Sequence, residues 1–321
     1  MDEVLKKIGE LGLVPVVKIE KAEHALPLGR ALLEANLPIA EITFRTAAAE
    51  ESITILTREL PELFVGAGTV LTVDQVKKAI RAGAAFIVSP GFNPAVVDYC
   101  VEKSIPVTPG INNPTQIEMA LARKLEVVKF FPAEPSGGLS MLKAMAAPYG
   151  GIKFIPTGGI NSGNLNSYLS FNRILACGGS WMVKPALISA GNFAEITRLT
   201  REALSLMLGF ELAHLGFNEN NRDQARESGE LLKRLFNFPL IEKDDRISAG
   251  EGFEITGSPS LGERGHIAIA VNDIYRAVAF LQRIGVAVQQ DMAVKRDGLL
   301  KEIYIKPQVS DFALHLIEKE K

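Results

Sequence analysis

The sequence predicts an α/β protein in which a (β/α)8 barrel of the TIM type precedes a smaller α+β domain. Short apolar runs alternate with helical patterns over the first two thirds of the chain, which is typical of parallel βαβ units. Eight such units fit a compact barrel. After residue 208 the pattern changes to one strand, one helix and further strands, and this unit occurs twice. We therefore predict a barrel domain at 1–208 and a second domain of paired βαβββ-type repeats at 209–321.

Composition limits the possible functions. The chain has 321 residues, is 47% hydrophobic and 22% charged, and carries a net charge of −2. This balance is typical of a globular protein and gives no basic footprint for nucleic acid. No apolar run approaches the roughly 20 residues of a membrane span, and the charged N-terminal segment predicts an amphipathic helix rather than a signal peptide. Two cysteines without metal-ligand spacing favour a reducing, cytoplasmic location.

The predicted barrel follows directly from the order of the apolar runs. Its strands are expected at 14–19, 39–44, 63–68, 85–90, 105–110, 126–131, 153–159 and 173–180. Its helices are expected at 24–35, 47–58, 72–83, 93–103, 114–124 and 192–208, with Thr72 as an N-cap. A doubly wound open sheet is the alternative, but no glycine-rich dinucleotide fingerprint follows the first strand.

One lysine lies in the middle of an apolar strand. Lys129 stands in the run Val-Val-Lys-Phe-Phe-Pro at 127–132. Burial lowers a lysine pKa, and a neutral amine is a nucleophile that can form a Schiff base with a carbonyl. The alternative is a side chain that extends from the strand end to water. Lys18 and Lys184 are rival amines, but neither has the same apolar flanks.

Polar residues at the predicted carboxyl ends of the strands favour the nucleophile interpretation, because barrel chemistry occurs at that end. Glu41 is a candidate general acid/base, or alternatively a structural partner for a lysine. Arg45 can bind a carboxylate bidentately, or alternatively pair with Glu50 on the surface. Thr69 and Pro90 follow the third and fourth strands. Thr69 could also be an ordinary residue at the approach to a helix.

Two glycine turns follow the seventh and eighth strands. They are Thr157-Gly158-Gly159-Ile160 and Cys177-Gly178-Gly179-Ser180. Glycine lets backbone N–H groups approach an anion closely, and many barrels bind phosphate after these two strands. Ordinary tight turns are the alternative. Together with the lysine, the acid and the arginine, these turns predict one site at one end of the barrel.

Residues 4–205 resemble the 2-keto-3-deoxy-6-phosphogluconate aldolase family, which includes 4-hydroxy-2-oxoglutarate aldolases. The resemblance rests on motifs in the family's order. They are PVVKI (15–19), EITFRT (41–46), GAGTV (66–70), SPGF (89–92), KFFPAE (129–134), PTGGIN (156–161) and GGSWM (178–182). Phe44 and the loop 134–140 depart from many relatives and bear on substrate preference.

The resemblance implies a role for each site residue. Lys129 is the expected Schiff-base lysine, and Glu41 the expected acid/base. The remaining expected positions are Arg45 and Thr69 for the substrate carboxylate, Pro90 beside them, Thr157 for the stereochemistry of aldol addition, and Gly158, Gly159, Gly179 and Ser180 for phosphate. No metal or other cofactor is implied, because the imine is itself the electrophile.

The resemblance therefore predicts a class I aldolase of carbohydrate metabolism. It is expected to cleave 2-keto-3-deoxy-6-phosphogluconate (KDPG) to pyruvate and glyceraldehyde 3-phosphate, a step of the Entner–Doudoroff pathway. The alternatives are cleavage of 4-hydroxy-2-oxoglutarate to pyruvate and glyoxylate, and a non-catalytic binder of keto acids or sugar phosphates. A small 2-keto acid is the expected partner, and the family implies a homotrimer.

The extension resembles the glyoxalase-like, or vicinal oxygen chelate, superfamily. Its strands are expected at 210–218, 239–248, 252–258, 265–272, 286–294, 299–307 and 312–319, with helices at 222–236 and 274–285. The resemblance implies that His214, Glu254, His266 and His315 occupy metal-ligand positions. The alternative is a domain without metal that serves packing, oligomer contacts or ligand sensing, and our assignment for the whole chain includes no metal.

Overall fold

The structure is a computed structural model that describes residues 2–243, 245–258 and 261–320. The chain divides into two compact units, Met1–Met207 and Leu208–Lys321, called here the N-terminal and C-terminal units. No helix among the described residues is long and apolar enough to cross a membrane.

The described part of the N-terminal unit contains nine short strands. They are β1 (Leu13–Val17), β2 (Ile39–Thr43), β3 (Phe64–Gly68), β4 (Ile87–Val88), β5 (Val107–Thr108), β6 (Gly110–Ile111), β7 (Val127–Phe130), β8 (Lys153–Pro156) and β9 (Cys177–Gly179). All their pairings are parallel. Nearly continuous burial along β1 to β3 and β7 agrees with a parallel sheet that is covered on both faces.

These strands form a TIM-like barrel with eight positions. The hydrogen-bonded orders are β5-β4-β3-β2-β1-β9 and β6-β7-β8. Pairing of Thr157, the residue after β8, with Gly178 of β9 joins these two strands. The predicted fifth strand is divided into β5 and β6 at Pro109, because proline has no N–H for the ladder. The carbonyl of Pro109 still accepts a hydrogen bond from the backbone of Lys129 at 2.9 Å.

Ten α-helices of the described residues lie in or end the N-terminal unit, and a short 3₁₀ helix, Ala22–His24, precedes the second of them. The α-helices are α1 (Glu3–Leu11), α2 (Ala25–Glu34), α3 (Ala49–Glu59), α4 (Val73–Arg81), α5 (Pro94–Glu102), α6 (Pro114–Ala122), α7 (Gly138–Ala146), α8 (Leu165–Leu169), α9 (Pro185–Ser189) and α10 (Phe193–Leu208). The predicted N-cap of α4 is confirmed, since Thr72 Oγ1 accepts from the backbone of Gln75 at 3.2 Å. Asn93 and Asn113 cap α5 and α6, each ahead of a proline at the first helical position.

The C-terminal unit is built on one eight-stranded sheet. Its strands are β10 (Glu211–Asn218), β11 (Leu240–Lys243), β12 (Arg246–Ala249), β13 (Phe253–Thr256), β14 (Gly265–Val271), β15 (Val288–Arg296), β16 (Leu299–Val309) and β17 (Phe312–Glu318). Its helices are α11 (Arg222–Phe236) and α12 (Ile274–Arg283). The strand order is β11-β12-β13-β10-β14-β17-β16-β15, so the first strands of the two predicted repeats, β10 and β14, lie side by side.

One strand prediction in this unit was wrong. The segment 239–248 is a hairpin of β11 and β12, in which Lys243 pairs with Arg246. Asp244 lies outside the described residues. The physical reason is the charged run at 242–246, which favours a solvated turn over a continuous strand.

The two faces of the C-terminal sheet differ. Ala225 of α11 packs on Ile247 and Ile255, with Phe217 and Leu240 around them. Because side chains alternate along a strand, the neighbours of these core residues point to the opposite face of the sheet. Glu254, beside Ile255, therefore lies on the face away from α11.

Candidate functional site

The barrel holds a buried lysine–carboxylate pair. Lys129 Nζ lies 3.2 Å from Glu41 Oε1, and the two side chains are only 6% and 4% exposed. Lys129 comes from the middle of β7 and Glu41 from the middle of β2, so the pair spans the barrel interior. Loss of either partner would leave the other polar group buried without its counterpart, which is costly. The structure thus brings together the amine and the acid that the sequence singled out.

A small cavity adjoins this pair. Its lining combines Glu41 and Lys129 with apolar side chains and one threonine, namely Ile8, Val14, Phe86, Val88, Ile155 and Thr108. The ring of Phe131 lies 5.2 Å from Lys129 Nζ. An apolar cavity with a few convergent polar groups is the usual form of a small-molecule site.

Arg45 lies just beyond β2 and is held by a threonine. Its Nε donates to Thr43 Oγ1 at 3.1 Å, and Thr43 Oγ1 donates to the carbonyl of Val17 at 2.7 Å. Among the described residues, the predicted alternative partner Glu50 pairs with Lys78 instead, at 3.9 Å. The guanidinium is exposed and keeps its terminal nitrogens available for an anion.

The two rival amines are in different surroundings. Lys18 pairs with Glu20 at 2.6 Å and is 35% exposed. Lys184 is exposed at the start of α9. Neither is enclosed as Lys129 is, so only Lys129 combines burial with a carboxylate partner in the cavity.

Thr69 has an unusual backbone for a β-branched residue. It follows β3 with φ of 54°, in the left-handed region. Such outliers cost energy and cluster at ligand sites. Pro90 follows β4 at the same end of the barrel. Its carbonyl oxygen lies so close to Gly110 that a Cβ added there would be only 2.1 Å from it. Both residues lie after strands of the barrel, and their role in substrate binding stays a prediction.

The first glycine turn requires glycine at both positions. Gly158 and Gly159 have φ of 95° and 87°. The side-chain amides of Asn161 and Asn164 donate to the carbonyl of Gly159 at 3.0 and 3.1 Å. These bonds fix the turn, and glycine at two successive positive-φ positions exposes backbone that an anion can approach.

The second glycine turn makes room for neighbouring side chains. A Cβ on Gly178 would lie 2.4 Å from Thr157 Oγ1, and one on Gly179 would lie 1.9 Å from the Trp181 ring. Thr157 Oγ1 is buried and has no hydrogen-bond partner among the described residues. Ser180 is exposed directly after the turn. An unpartnered buried hydroxyl at this end of the barrel is available to a ligand.

Sequence reasoning assigned no role to four supporting residues. A Cβ on Gly68 would lie 2.1 Å from Glu41 Oε1, so this glycine makes space for the carboxylate. The buried Tyr168 hydroxyl donates to Glu134, whose backbone N–H donates to Gly158 O at 3.0 Å. Burial, and then the Glu134 carboxylate, raise the pKa of Tyr168. Only Thr43 had a sequence indication, because it lies two residues from Glu41 on the same strand face.

A second polar cluster lies within the C-terminal unit. Three histidines form it: His214, His266 and His315. Each places one ring nitrogen within 4.8 Å of a ring nitrogen of the other two. His214 Nε2 and His266 Nε2 are 3.0 Å apart. The His315 ring stacks on Tyr304 at 4.7 Å with an angle of 15° between the planes.

The strand register explains why the three rings converge. His214, Ala268 and His315 form one row across β10, β14 and β17. His266 precedes Ala268 by two residues, so its side chain projects from the same face of the sheet. In the next row Gly216 lies opposite His266. A Cβ added at Gly216 would be only 2.1 Å from the His266 ring. Small residues thus alternate with the histidines and leave space for the rings.

Burial dominates the electrostatics of the cluster. It lowers the pKa of His266 to about 4 and that of His315 to about 3, with the neighbouring imidazoles adding to the effect. Burial also lowers the pKa of His214. The rings are therefore neutral at pH 7, which is the form that binds metal ions.

The chemistry of the cluster fits a metal ion. His266 Nδ1 and both ring nitrogens of His315 are buried and lack a hydrogen-bond partner among the described residues. Glu254 Oε1 lies 3.7 Å from His266 Nε2 and can add a carboxylate oxygen. Metal–nitrogen bonds are about 2.0–2.1 Å long, so ring nitrogens within 4.8 Å of one another need only small side-chain adjustments to share one ion.

Comparisons with known proteins concern the N-terminal unit. Residues 2–199 match the family model for KDPG and KHG aldolase. A 2-dehydro-3-deoxy-phosphogluconate aldolase of Treponema pallidum is 46% identical over 207 residues, 64% of this chain and 99% of the relative. The KHG/KDPG aldolase of Escherichia coli is 40% identical over 192 residues, 60% of this chain and 90% of the relative.

Solved structures give the same result. The KDPG aldolase from Legionella pneumophila, with pyruvate captured as a covalent carbinolamine intermediate, matches with a TM-score of 0.61 and 34% identity. The match covers 63% of this chain and 98% of that one. The aldolase of Zymomonas mobilis with 3-phosphoglycerate matches with a TM-score of 0.58 and 38% identity, over 62% of this chain and 94% of that one.

Proposed function

Since its barrel matches that family over residues 2–199, the chain belongs to the KDPG and KHG aldolase family, and we propose that Lys129 is its Schiff-base nucleophile. The chain is an aldolase that cleaves 2-keto-3-deoxy-6-phosphogluconate to pyruvate and glyceraldehyde 3-phosphate. The observation that carries the mechanism is the enclosed pair of Lys129 Nζ and Glu41 Oε1, 3.2 Å apart.

The first half of the reaction forms the imine. Glu41 accepts a proton from the Lys129 ammonium, and the free amine attacks C2 of the keto acid. The carbinolamine then loses its hydroxyl as water, and Glu41 returns the proton that this departure needs. A single carboxylate beside the amine can thus serve both proton transfers.

The second half breaks the C3–C4 bond. Glu41, acting through a water molecule, takes the C4 hydroxyl proton, and the bonding electrons flow into the iminium to give an enamine. The aldehyde leaves, the enamine is protonated at C3, and water releases pyruvate from Lys129. The mostly apolar cavity supports these steps, because it limits the solvation of the charges that move.

The substrate ends are held by groups on either side of this pair. The Arg45 guanidinium, fixed through Thr43, binds the carboxylate together with Thr69. The glycine turns at Gly158 and Gly179 bind the phosphate through backbone N–H groups, with Ser180 beside them. The Thr157 hydroxyl contacts the reacting aldehyde and directs which face of it is attacked.

Borohydride trapping with pyruvate tests this proposal. Reduction of the imine is expected to add the pyruvate carbon skeleton to the Lys129 peptide, as read by mass spectrometry, and to abolish cleavage. Lys129→Arg keeps a cation beside Glu41, whereas Lys129→Ala would leave a buried unpaired carboxylate at a cost of about 3–5 kcal/mol. A folded Lys129→Arg variant with full activity, or an adduct on Lys18, would reject the assignment.

A second function is proposed for the C-terminal unit: binding of a divalent metal ion by His214, His266, His315 and Glu254. The observation that favours it is the group of buried ring nitrogens without partners on His266 and His315. A bound ion would supply Lewis-acid polarisation of an oxygen ligand. The residues themselves hold and orient the ion, and Tyr304 fixes the ring of His315 by stacking.

Metal retention tests this second proposal. Protein purified without chelator is expected to carry about one ion per chain by elemental mass spectrometry, and His266→Ala to lose it. His24→Ala is the matched control, because His24 is the one histidine outside the cluster. Equal metal content in wild type and His266→Ala would exclude the site.

The family resemblance also predicts a homotrimer in the cytoplasm. Assembly state is measured directly by light scattering of the full chain. A monomer in solution at working concentration would contradict the trimer.

A further inference from the structure

We propose that the C-terminal histidine cluster selects late first-row transition-metal ions such as Ni²⁺, Cu²⁺ and Zn²⁺ over Mg²⁺, Ca²⁺ and Mn²⁺, and that His315 sets this preference. The inference rests on the metal-binding function proposed above and goes further, because it names the class of ion. It follows from the donor atoms and from the charges around them.

The donors are mainly neutral nitrogens. Three of the four candidate ligands, His214, His266 and His315, are imidazoles, and each of them is mostly enclosed by protein. Imidazole suits nickel, copper, zinc and iron, whereas carboxylate, carbonyl and water oxygens suit magnesium, calcium and manganese. Affinity for nitrogen donors also rises from Mn²⁺ through Ni²⁺ to Cu²⁺, with Zn²⁺ just below Cu²⁺.

The carboxylates of this face are already paired with arginines. Arg246 Nη1 lies 3.5 Å from Glu254 Oε1, and Arg296 Nη2 lies 3.4 Å from Glu302 Oε1. These cations offset the negative charge that hard cations require from their oxygen ligands. The site therefore offers nitrogen lone pairs and little net negative charge.

His315 is the discriminating position because of its place in the sheet. It pairs with Tyr304 on one side and Ala268 on the other. Tyr304 stacks on its ring, while the small Ala268 leaves the space towards His214 open. A carboxylate at 315 would be in reach of the same ion, and would convert the set from three nitrogens and one oxygen to two of each.

The test is competitive metal binding to the full chain after removal of metal with chelator. Zn²⁺ and Ni²⁺ are expected to bind at least about 100-fold more tightly than Mn²⁺, with no measurable Mg²⁺ binding, by equilibrium dialysis and elemental mass spectrometry. In His315→Glu, the ratio of Zn²⁺ to Mn²⁺ affinity is expected to fall at least about tenfold. Circular dichroism establishes that the variant is folded, and His24→Ala is expected to keep the wild-type ratio.

Each possible result contradicts a different part of the proposal. Mn²⁺ binding as tight as Zn²⁺, abolished by His266→Ala, would reject the selectivity and retain the site. An unchanged ratio in folded His315→Glu would reject the role of His315. If no ion binds, or if His266→Ala binds like wild type, both the selectivity and the site are rejected. The aldolase proposal is unaffected by any of these outcomes, because its test is the adduct on Lys129.

Discussion

The two polar clusters of this protein are alike in burial and opposite in composition. In the N-terminal unit, Lys129 and Glu41 pair at 3.2 Å, and each supplies what the other lacks. In the C-terminal unit, three imidazoles of the same kind converge, and several of their nitrogens have no partner among the described residues. Both clusters lie on inward-facing positions of strands that are otherwise largely apolar.

The difference bears on where each cluster obtains its reactivity. An amine and a carboxylate can exchange a proton, so the barrel pair contains its own acid and base. A group of neutral imidazoles contains no such acid–base pair. Burial of ring nitrogens without hydrogen-bond partners costs free energy, which a bound ion would offset. We therefore expect the barrel site to work as the chain alone and the C-terminal cluster to need an ion.

The largest expected effect tests the self-sufficiency of the barrel pair. Glu41→Gln keeps the shape of the side chain but removes the proton acceptor, so kcat for KDPG cleavage is expected to fall by about 10²- to 10⁴-fold. Steady-state kinetics measures it, with the surface variant Glu50→Gln as the matched control. Unchanged kcat in a folded Glu41→Gln protein would mean that another group carries the protons.

A smaller effect is expected from the glycine beneath Glu41. A Cβ in Gly68→Ala would lie 2.1 Å from Glu41 Oε1, so the carboxylate has to move away from Lys129. Displacement by about 1 Å can cost about 10²-fold in rate. The loss is expected in kcat more than in KM. Gly150→Ala, where a Cβ meets nothing within 4 Å, is the control; equal activity of the two variants would rule out this role for Gly68.

The last effect is on stability rather than on rate, and it sharpens the contrast from the C-terminal side. The pKa values of His266 and His315 are about 4 and about 3 in the folded chain, below the ordinary 6.5. The unfolded chain therefore binds more protons below about pH 6.5. The free energy of unfolding of the metal-free C-terminal unit is expected to fall from there towards pH 4, by about 1.4 kcal/mol per pH unit for each proton.

Hydrogen exchange of peptides from β14 and β17 measures this loss against barrel peptides in the same sample. In His315→Leu one of the two protons is removed, so the pH dependence is expected to become shallower. A pH dependence that is the same in wild type and His315→Leu would show that these protons are not the cause.

The sequence was sufficient for much of the barrel because its pattern is local. Alternating apolar runs and helical patterns predicted the parallel strands, and the predicted cap Thr72 lies next to the helix it begins. The family motifs lie in one order along the chain and predicted the aldolase. Local patterns did not predict the break at Pro109 or the hairpin at 239–248, since a strand interruption depends on which backbone groups find partners across the sheet.

The chain by itself determined which chemical groups are present: a lysine in an apolar strand, an acid in another, two double-glycine turns and three histidines on predicted strands. Only the tertiary structure decided which of them meet. The pair of Lys129 and Glu41 joins strands 88 residues apart, and the space for it depends on Gly68. The histidines converge because the register aligns His214, Ala268 and His315 in one row. Distances across a sheet are set by pairing and packing, which no local pattern specifies.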